Sequence, residues 1–475
     1  MIPPTRKDTD SPGCLDRMAE HTTIPHPPKR IPILGDIIGI DRAKPNQKTL
    51  LMHERLGPIY RRTIMGTHLT FASGADVVAD LNDETRFRKH VGRPLQQLRS
   101  LGGDGLFTAF NDTHAWTSAH NVLMPGFTKD AMRGYHDTMA TTIAELVKHW
   151  DERPGQRLDV SAEMSKLTLE VIGRCGFGRS FGSFSRDAVD PFVTAMLRAL
   201  DYSQRSSIPI PILGALLGRA EAKQNAADIA YLHSVVDEVI AARTGNPGAH
   251  ADLLDLMLTN PDPETGQQLD LENVRDQVIT FLIAGHETSS NALSFALHLL
   301  AAHPDIAARA RAEIDAMWPD ASAPSLSFDQ VPKLRYIRRV IDETLRLWPS
   351  APGYFREAIA DATVAGGYGF KAGDWAFVLL LRLHRDPVWG PDPERFDPDR
   401  FLPENVKARP GHVYRPFGTG IRSCIGRQFA LHEMVLALAT IVHQYDLVAD
   451  PDYTLEVDEL LTLRPAGFTL EFRRR

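Results

Sequence analysis

The chain has 475 residues, 43% of them hydrophobic and 24% charged, with a formal net charge of −7. That is the balance of a globular chain with a large core, and the missing basic excess argues against a nucleic-acid binder. Three cysteines, Cys14, Cys175 and Cys424, with no Cys-x-x-Cys spacing, exclude a disulfide framework and a cysteine zinc site and fit a reducing, cytoplasmic setting.

In chain order, residues 1–23 are small and charged and read as a mobile tail, with one domain expected over 24–475. The proline-rich stretch from Ile24 to Leu34 contains no apolar run long enough for a signal peptide or a membrane span; peripheral membrane contact stays open. From Asn46 a short helical pattern leads into strand-like runs at Tyr60 to Met65 and His68 to Ala72, which predict a small sheet. Helical periodicity then dominates, over Ala131 to Trp150, Val160 to Cys175, Val189 to Tyr202 and Ala226 to Arg243. The longest helical segment, Leu271 to His303, predicts a rod about 50 Å long at 1.5 Å per residue. After Pro349 the pattern breaks into short strands and turns through Pro416, and a last helix follows the glycine-rich segment at 418–426. No repeat or low-complexity linker divides the chain, so the expected fold is mainly α with a minor β component.

Two segments carry chemistry. In the long helix, Ala284-Gly-His-Glu-Thr-Ser-Ser puts polar groups among Phe281, Leu282, Ile283 and Leu293, and His286 with Glu287 rules out a membrane-span reading. Polar groups at the centre of a buried helix point to a site. Near the C-terminus, Phe417-Gly-Thr-Gly-Ile-Arg-Ser-Cys-Ile-Gly426 leads into the helical run Arg427-Gln-Phe-Ala-Leu-His-Glu. A cysteine just ahead of a helix meets the positive end of the helix dipole and free backbone N–H groups, which favour the thiolate, the metal-binding form. Glycines at 418 and 420 allow a tight turn. A buried structural cysteine is the plain alternative, and a phosphate-cradling loop is weaker because the Gly-Lys-Ser/Thr ending is missing.

The pattern F-x-x-G-x-R-x-C-x-G resembles the haem-binding signature of the cytochrome P-450 superfamily. The resemblance implies a cytochrome P-450 fold with haem b between the long helix and the helix after the cysteine loop. Cys424 would ligate the iron, with Phe417, Gly418 and Gly426 shaping the cofactor seat and Arg422 reaching a haem propionate. Trp116 and His120, one turn apart, resemble further propionate contacts, as does Arg356. Glu343 and Arg346, at i, i+3 spacing, with Arg400 in Phe396-Asp-Pro-Asp-Arg-Phe401, resemble the family's structural triad. Ala284-Gly-His-Glu-Thr288 resembles its oxygen-activation motif: Ala284 and Gly285 leave room for dioxygen, Thr288 offers a hydroxyl one turn on, and Glu287 supplies protons. Ser289 and Ser290 read as local helix back-bonders.

Several blocks, among them Gly103-Asp-Gly-Leu-Phe-Thr108 and Leu345-Arg-Leu-Trp-Pro349, are similar to the haem domain of bacterial self-sufficient fatty-acid hydroxylases, over residues 45 to 473. By that likeness Leu95, Leu98, Phe107, Leu200, Ala284, Ala351 and Leu461 line the substrate pocket; ordinary core packing is the alternative. The Arg and Tyr that hold the substrate carboxylate in those enzymes are replaced by Thr67 and Phe71, so a charge-assisted anchor is missing. Ile208 to Gly218 carries no charge and predicts an apolar lip to the channel, or a loop folded onto its own helices.

The expected activity is a haem-thiolate monooxygenase that inserts one atom of O2 into a small, mainly apolar organic substrate by hydroxylation or epoxidation. Electrons are expected from NAD(P)H through a separate ferredoxin- or flavodoxin-type partner, or through a reductase belonging to a longer natural chain. Arg415, Arg422 and Arg427 form a candidate landing site. A terpenoid, polyketide or carrier-bound acyl substrate is the alternative to a fatty acid. A haem-thiolate isomerase or a non-enzymatic haem-binding protein lies further out.

Overall fold

One helix, Leu271–Ala302, runs unbroken through the centre of the molecule, and the other elements are best placed by reference to it. The computed structural model describes residues 22–41, 43–111, 113–185, 190–206, 214–245, 248, 250–319 and 325–475. The N-terminal tail up to residue 21 lies outside the described residues, as do residues 207–213 of the apolar stretch and the side chains of 214–218.

The central helix starts where the Asp270 carboxylate accepts the Asn273 N–H, a side-chain cap, and stops at His303, ahead of Pro304. Its 32 residues span about 48 Å. Helix Val160–Phe177 lies against it, pinned by Thr168 donating to the His286 carbonyl at 2.9 Å. Helices Arg335–Leu347 and Arg427–Gln444 pack on it from other sides, and all four share one continuous apolar core. Caps set the remaining long helices: Thr128 begins Lys129–Asp151, and the left-handed Gly178 (φ 62°) closes Val160–Phe177. The segments expected at Val189 to Tyr202 and Ala226 to Arg243 are helices Pro191–Ser206 and Gly214–Thr244, the second much longer than its periodic part suggests.

The minor β component centres on a five-stranded sheet in the order Ile59–Ile64, Thr67–Ala72, Trp375–Leu379, Gly353–Ala358, Phe87–Lys89. Its first two strands form the predicted hairpin, turned at Met65 (φ 48°) and Gly66 (φ 82°), the paired positive φ values of a tight two-residue turn. Residues alternate across the pleat. Ala72, Ala376 and Ala358 face a second small core with Leu81, Phe87 and Phe370, while Phe71, Phe377 and Phe355 face the other way.

Candidate active site

The cysteine loop is a backbone construction. Cys424 donates its N–H to the Phe417 carbonyl at 2.9 Å, and Ser423 donates to Gly420 at 3.0 Å. Gly418 (φ 76°) and Gly420 (φ 66°) both take left-handed conformations. Gly420 has a second reason to be glycine: a Cβ there would sit 1.7 Å from Glu84 Oε1, and Glu84 also accepts the Ile421 N–H at 3.0 Å. Gly426 caps helix Arg427–Gln444, and a Cβ at 426 would stand 4.0 Å from the Cys424 sulfur. Cys424 keeps accessible surface on one side while protein encloses the rest. That enclosure pushes the thiol pKa up; the Gly426 N–H and the Arg427 charge pull it back.

Beneath the loop, Arg346 binds Glu343 through two bonds of 2.6 and 2.7 Å, with both side chains fully buried. Arg346 also donates to the carbonyls of His384, Pro393 and Arg395 at 2.8, 2.7 and 3.2 Å. Arg400 lies 3.5 Å from Glu343 and donates to the carbonyls of Trp389 and Asp392. His384 extends this network to the loop. Its Nδ1 donates to the Arg346 carbonyl at 3.1 Å and its Nε2 accepts the Arg415 N–H at 3.3 Å, two residues before Phe417. Burial beside Arg346 drives its pKa down to about 3, which keeps that acceptor free.

On the central helix, Ala284, Gly285 and Thr288 keep accessible surface while His286 and Glu287 are buried. The Thr288 hydroxyl donates to the Ala284 carbonyl at 2.6 Å, which leaves its lone pairs as acceptors. Glu287 Oε1 accepts the Thr462 hydroxyl at 2.6 Å, and Thr462 in turn accepts Asn291 Nδ2 at 3.0 Å. Burial raises the Glu287 pKa, opposed in part by the Thr462 bond and the Arg464 charge. A cavity of about 240 Å³ borders Glu287, His286, Ser165 and Arg464, and no residue of the cysteine loop lines it. Gly285 also serves packing: a Cβ on it would lie 3.1 Å from Ile172 Cγ1 on helix Val160–Phe177. Ser290 back-bonds to Glu287 O at 3.0 Å, whereas Ser289 makes no such bond.

A family model for cytochrome P450 matches residues 25–472. The chain belongs to the cytochrome P450 family. It is 40% identical over 461 residues to the bifunctional cytochrome P450/NADPH–P450 reductase 2 of Bacillus subtilis (strain 168), covering 96% of this chain and 43% of that protein. The self-sufficient cytochrome P450 monooxygenase CYP505E3 of Phanerodontia chrysosporium is 37% identical, with 94% and 42% covered. The chain thus spans less than half the length of these curated relatives. A crystal structure of a cytochrome P450 (CYP102L1) superposes with a TM-score of 0.89 at 44% identity, over 95% of this chain and 99% of that one.

For a cytochrome P450, the test of fit is whether the residues around Cys424 suit an anionic haem. Arg422 has its Cζ 4.6 Å from the Trp116 ring and donates to Ala109 O at 2.7 Å and Asn111 at 3.3 Å, but its buried Nε has no partner. Burial lowers its pKa to about 10. Lys89 donates to Phe107 O at 2.7 Å, and burial with the nearby Arg422 charge holds its pKa well below the usual lysine range. Among the described residues no carboxylate pairs with either cation. Two desolvated cations without a counter-ion suit propionates, so the residues present fit the group. Sequence reasoning missed Lys89, a lone lysine in a short strand, and His384, which no motif marks.

The remaining expected residues are placed as follows. His120 stacks on Trp116 at 4.6 Å. Arg356 is buried and donates to the Leu81 and Phe87 carbonyls, both at 2.7 Å, with Glu84 3.7 Å away, so its nitrogens are engaged by protein. Leu95, Leu98 and Leu200 pack in the main core, while Phe107, Ala351 and Leu461 retain accessible surface. Of the candidate landing arginines, Arg427 is exposed and lies over the Phe417 ring, Arg415 is half-buried, and Arg422 turns inward. No helix among the described residues is long and apolar enough to cross a membrane.

Proposed function

We propose that the chain is a haem-thiolate monooxygenase acting on a small, neutral, mainly apolar substrate. The observation that carries the reading is Cys424, set two residues ahead of Gly426, the cap of helix Arg427–Gln444, together with Arg422 and Lys89, which no carboxylate among the described residues pairs with. Cys424, Phe417, Gly418 and Gly426 would seat haem b, and Lys89, Arg422, Trp116 and His120 would meet its propionates. The bound haem supplies oxygen activation and redox chemistry, with electrons from NAD(P)H through a reductase, fused or separate, and O2 as co-substrate.

The chain's own residues supply protons and placement. Burial holds the Glu287 pKa above the ordinary carboxylate range, and Thr462 and the adjoining cavity connect it to polar groups. The Thr288 hydroxyl, held on Ala284 O, fixes an acceptor on the accessible side of the same helix. Exposed Arg427 suits an acidic flavodoxin- or ferredoxin-type surface. Thr67 and Phe71 in place of a carboxylate clamp support a neutral substrate. The cysteine usage supports a cytoplasmic setting.

Cys424→Ser tests the reading. The ferrous carbon-monoxide adduct of the haem-loaded protein is expected to show the thiolate band, and the variant to lose it together with all product formation. A variant with an unchanged spectrum would remove the assignment.

A further inference from the structure

The face of the five-stranded sheet that turns away from its core carries a row of rings. Tyr60 pairs with Phe71, Phe71 with Phe377, and Phe377 with Phe355, so four side chains on four adjacent strands stand at one register. Their centroids are 5.1, 6.3 and 4.8 Å apart in turn. Next to the row, Trp375 lies 5.5 Å from Phe355 and stacks on His90 at 5.1 Å with planes 8° apart. Tyr60 is buried, but Phe71, Phe377, Phe355 and Trp375 all keep accessible surface. Large half-open rings in a contiguous row are what a fold leaves for a partner or ligand.

The row abuts two of the chain segments that carry expected pocket residues. The Phe355 ring fills the space of a Gly92 Cβ, 2.5 Å from where that atom would be, three residues before Leu95. The Phe377 ring comes within 2.4 Å of a Gly353 Cβ position, two residues after Ala351. At Gly92 the ring alone leaves no room for a side chain, while at Gly353 the Val378 carbonyl, 2.2 Å from the Cβ position, excludes one together with the ring. Thr67 and Phe71, where a carboxylate anchor was expected to be missing, share this face.

Charge on the face disfavours an anion. Arg62 is buried and donates to the Asp36 and Ile38 carbonyls at 3.2 and 3.5 Å. Arg88 and His90 are both held by Glu357, each at 2.7 Å. A carboxylate arriving here meets side chains already engaged by protein and loses water without compensation.

We propose that Phe355, Phe377 and Trp375 form a specificity-determining wall that stacks against a neutral, ring-bearing apolar substrate on its way to the cofactor. This rests on the monooxygenase reading above.

The test titrates haem-loaded protein with dodecanoate, dodecanamide and 8-phenyloctan-1-ol, reading displacement of the ferric iron's water by absorbance. The phenylalkanol is expected to bind about tenfold more tightly than dodecanoate, the scale of one good ring contact with a charge penalty removed. In Phe355→Leu/Phe377→Leu the ratio of the two affinities should fall about fivefold. Trp375→Leu, at a half-open position, is the second variant if the double one does not fold, and it should lower the ratio in the same direction. Dodecanoate binding tightest, an unchanged ratio, or no displacement by the phenylalkanol overturns the proposal. So does dodecanoate binding that Arg93→Gln abolishes, because an exposed cation beside Gly92 would then be the anchor. The carbon-monoxide spectrum of the same preparation separates the two readings. A thiolate band with failed titrations removes only the ring wall, and a missing band removes the monooxygenase reading beneath it.

Discussion

The cysteine loop with its triad and the ring face of the first sheet are built on opposite terms. Around the loop, order comes from directional bonds: Arg346 reaches Glu343 and three carbonyls, His384 uses both ring nitrogens, and Glu84 fills the space left by Gly420. On the sheet face order comes from shape, with rings stacked in register and few polar bonds. Directional networks admit only particular residue types, because an unmatched buried donor or charge costs several kcal/mol. Apolar side chains can be exchanged at a cost under about 1.5 kcal/mol when volume is kept. The first region holds the chemistry constant and the second is free to set what reaches it.

The largest expected effect breaks the directional side. Arg346→Leu leaves Glu343 buried without its partner and three carbonyls unmatched, and should destabilise the fold by about 3–5 kcal/mol. Thermal unfolding and soluble yield report it; a variant melting within 2 °C of wild type would show that the network carries little stability. Glu433 gives the next effect. It is fully buried on helix Arg427–Gln444, no cation pairs with it among the described residues, and burial pushes its pKa up to about 8, with the Ser289 hydroxyl offsetting part. The folded pKa stands above the unfolded one, so stability is fully present below about pH 4.5 and is lost as pH rises toward 8. Urea titrations across that window should show wild type losing on the order of a few kcal/mol relative to Glu433→Gln. Parallel pH profiles for the two proteins would contradict it.

Legibility in the sequence follows the same division. Cys424, Glu343, Arg346 and the Ala284 to Thr288 motif are readable because directional chemistry fixes spacing. The central helix is readable because its apolar period and its Asp270 cap agree. Lys89 and His384 are not, since their roles come from partners far away in sequence: Phe107 and Arg422 for one, Arg346 and Arg415 for the other. The ring row was invisible for a related reason. Tyr60, Phe71, Phe355 and Phe377 come from two separate parts of the chain, and only strand register aligns them.

Thr288→Ala sharpens the comparison at the point where both regions serve the reaction. Losing the hydroxyl held on Ala284 O should lower product formed per NADPH consumed about tenfold, roughly 1.4 kcal/mol, while substrate still displaces the iron's water as in wild type. Unchanged coupling would move proton handling elsewhere and favour the isomerase alternative.

Gly285→Ala is the smallest effect and the one that decides between two roles for a motif residue. If the glycine serves dioxygen, a methyl group there should cut coupling as Thr288→Ala does. The packing role predicts otherwise: the new Cβ would meet Ile172 Cγ1 and Cδ1 at 3.1 and 3.2 Å. Overpacking of about 1–2 kcal/mol is then set against about 1 kcal/mol gained by replacing a helical glycine with alanine. The net change in unfolding free energy should be under about 1 kcal/mol, with coupling as in wild type. Ile172→Val removes the Cδ1 methyl that the new side chain strikes, so the double variant should be more stable than the two single changes added together. Strict additivity, or a coupling defect without a stability change, would return Gly285 to the oxygen side of the helix.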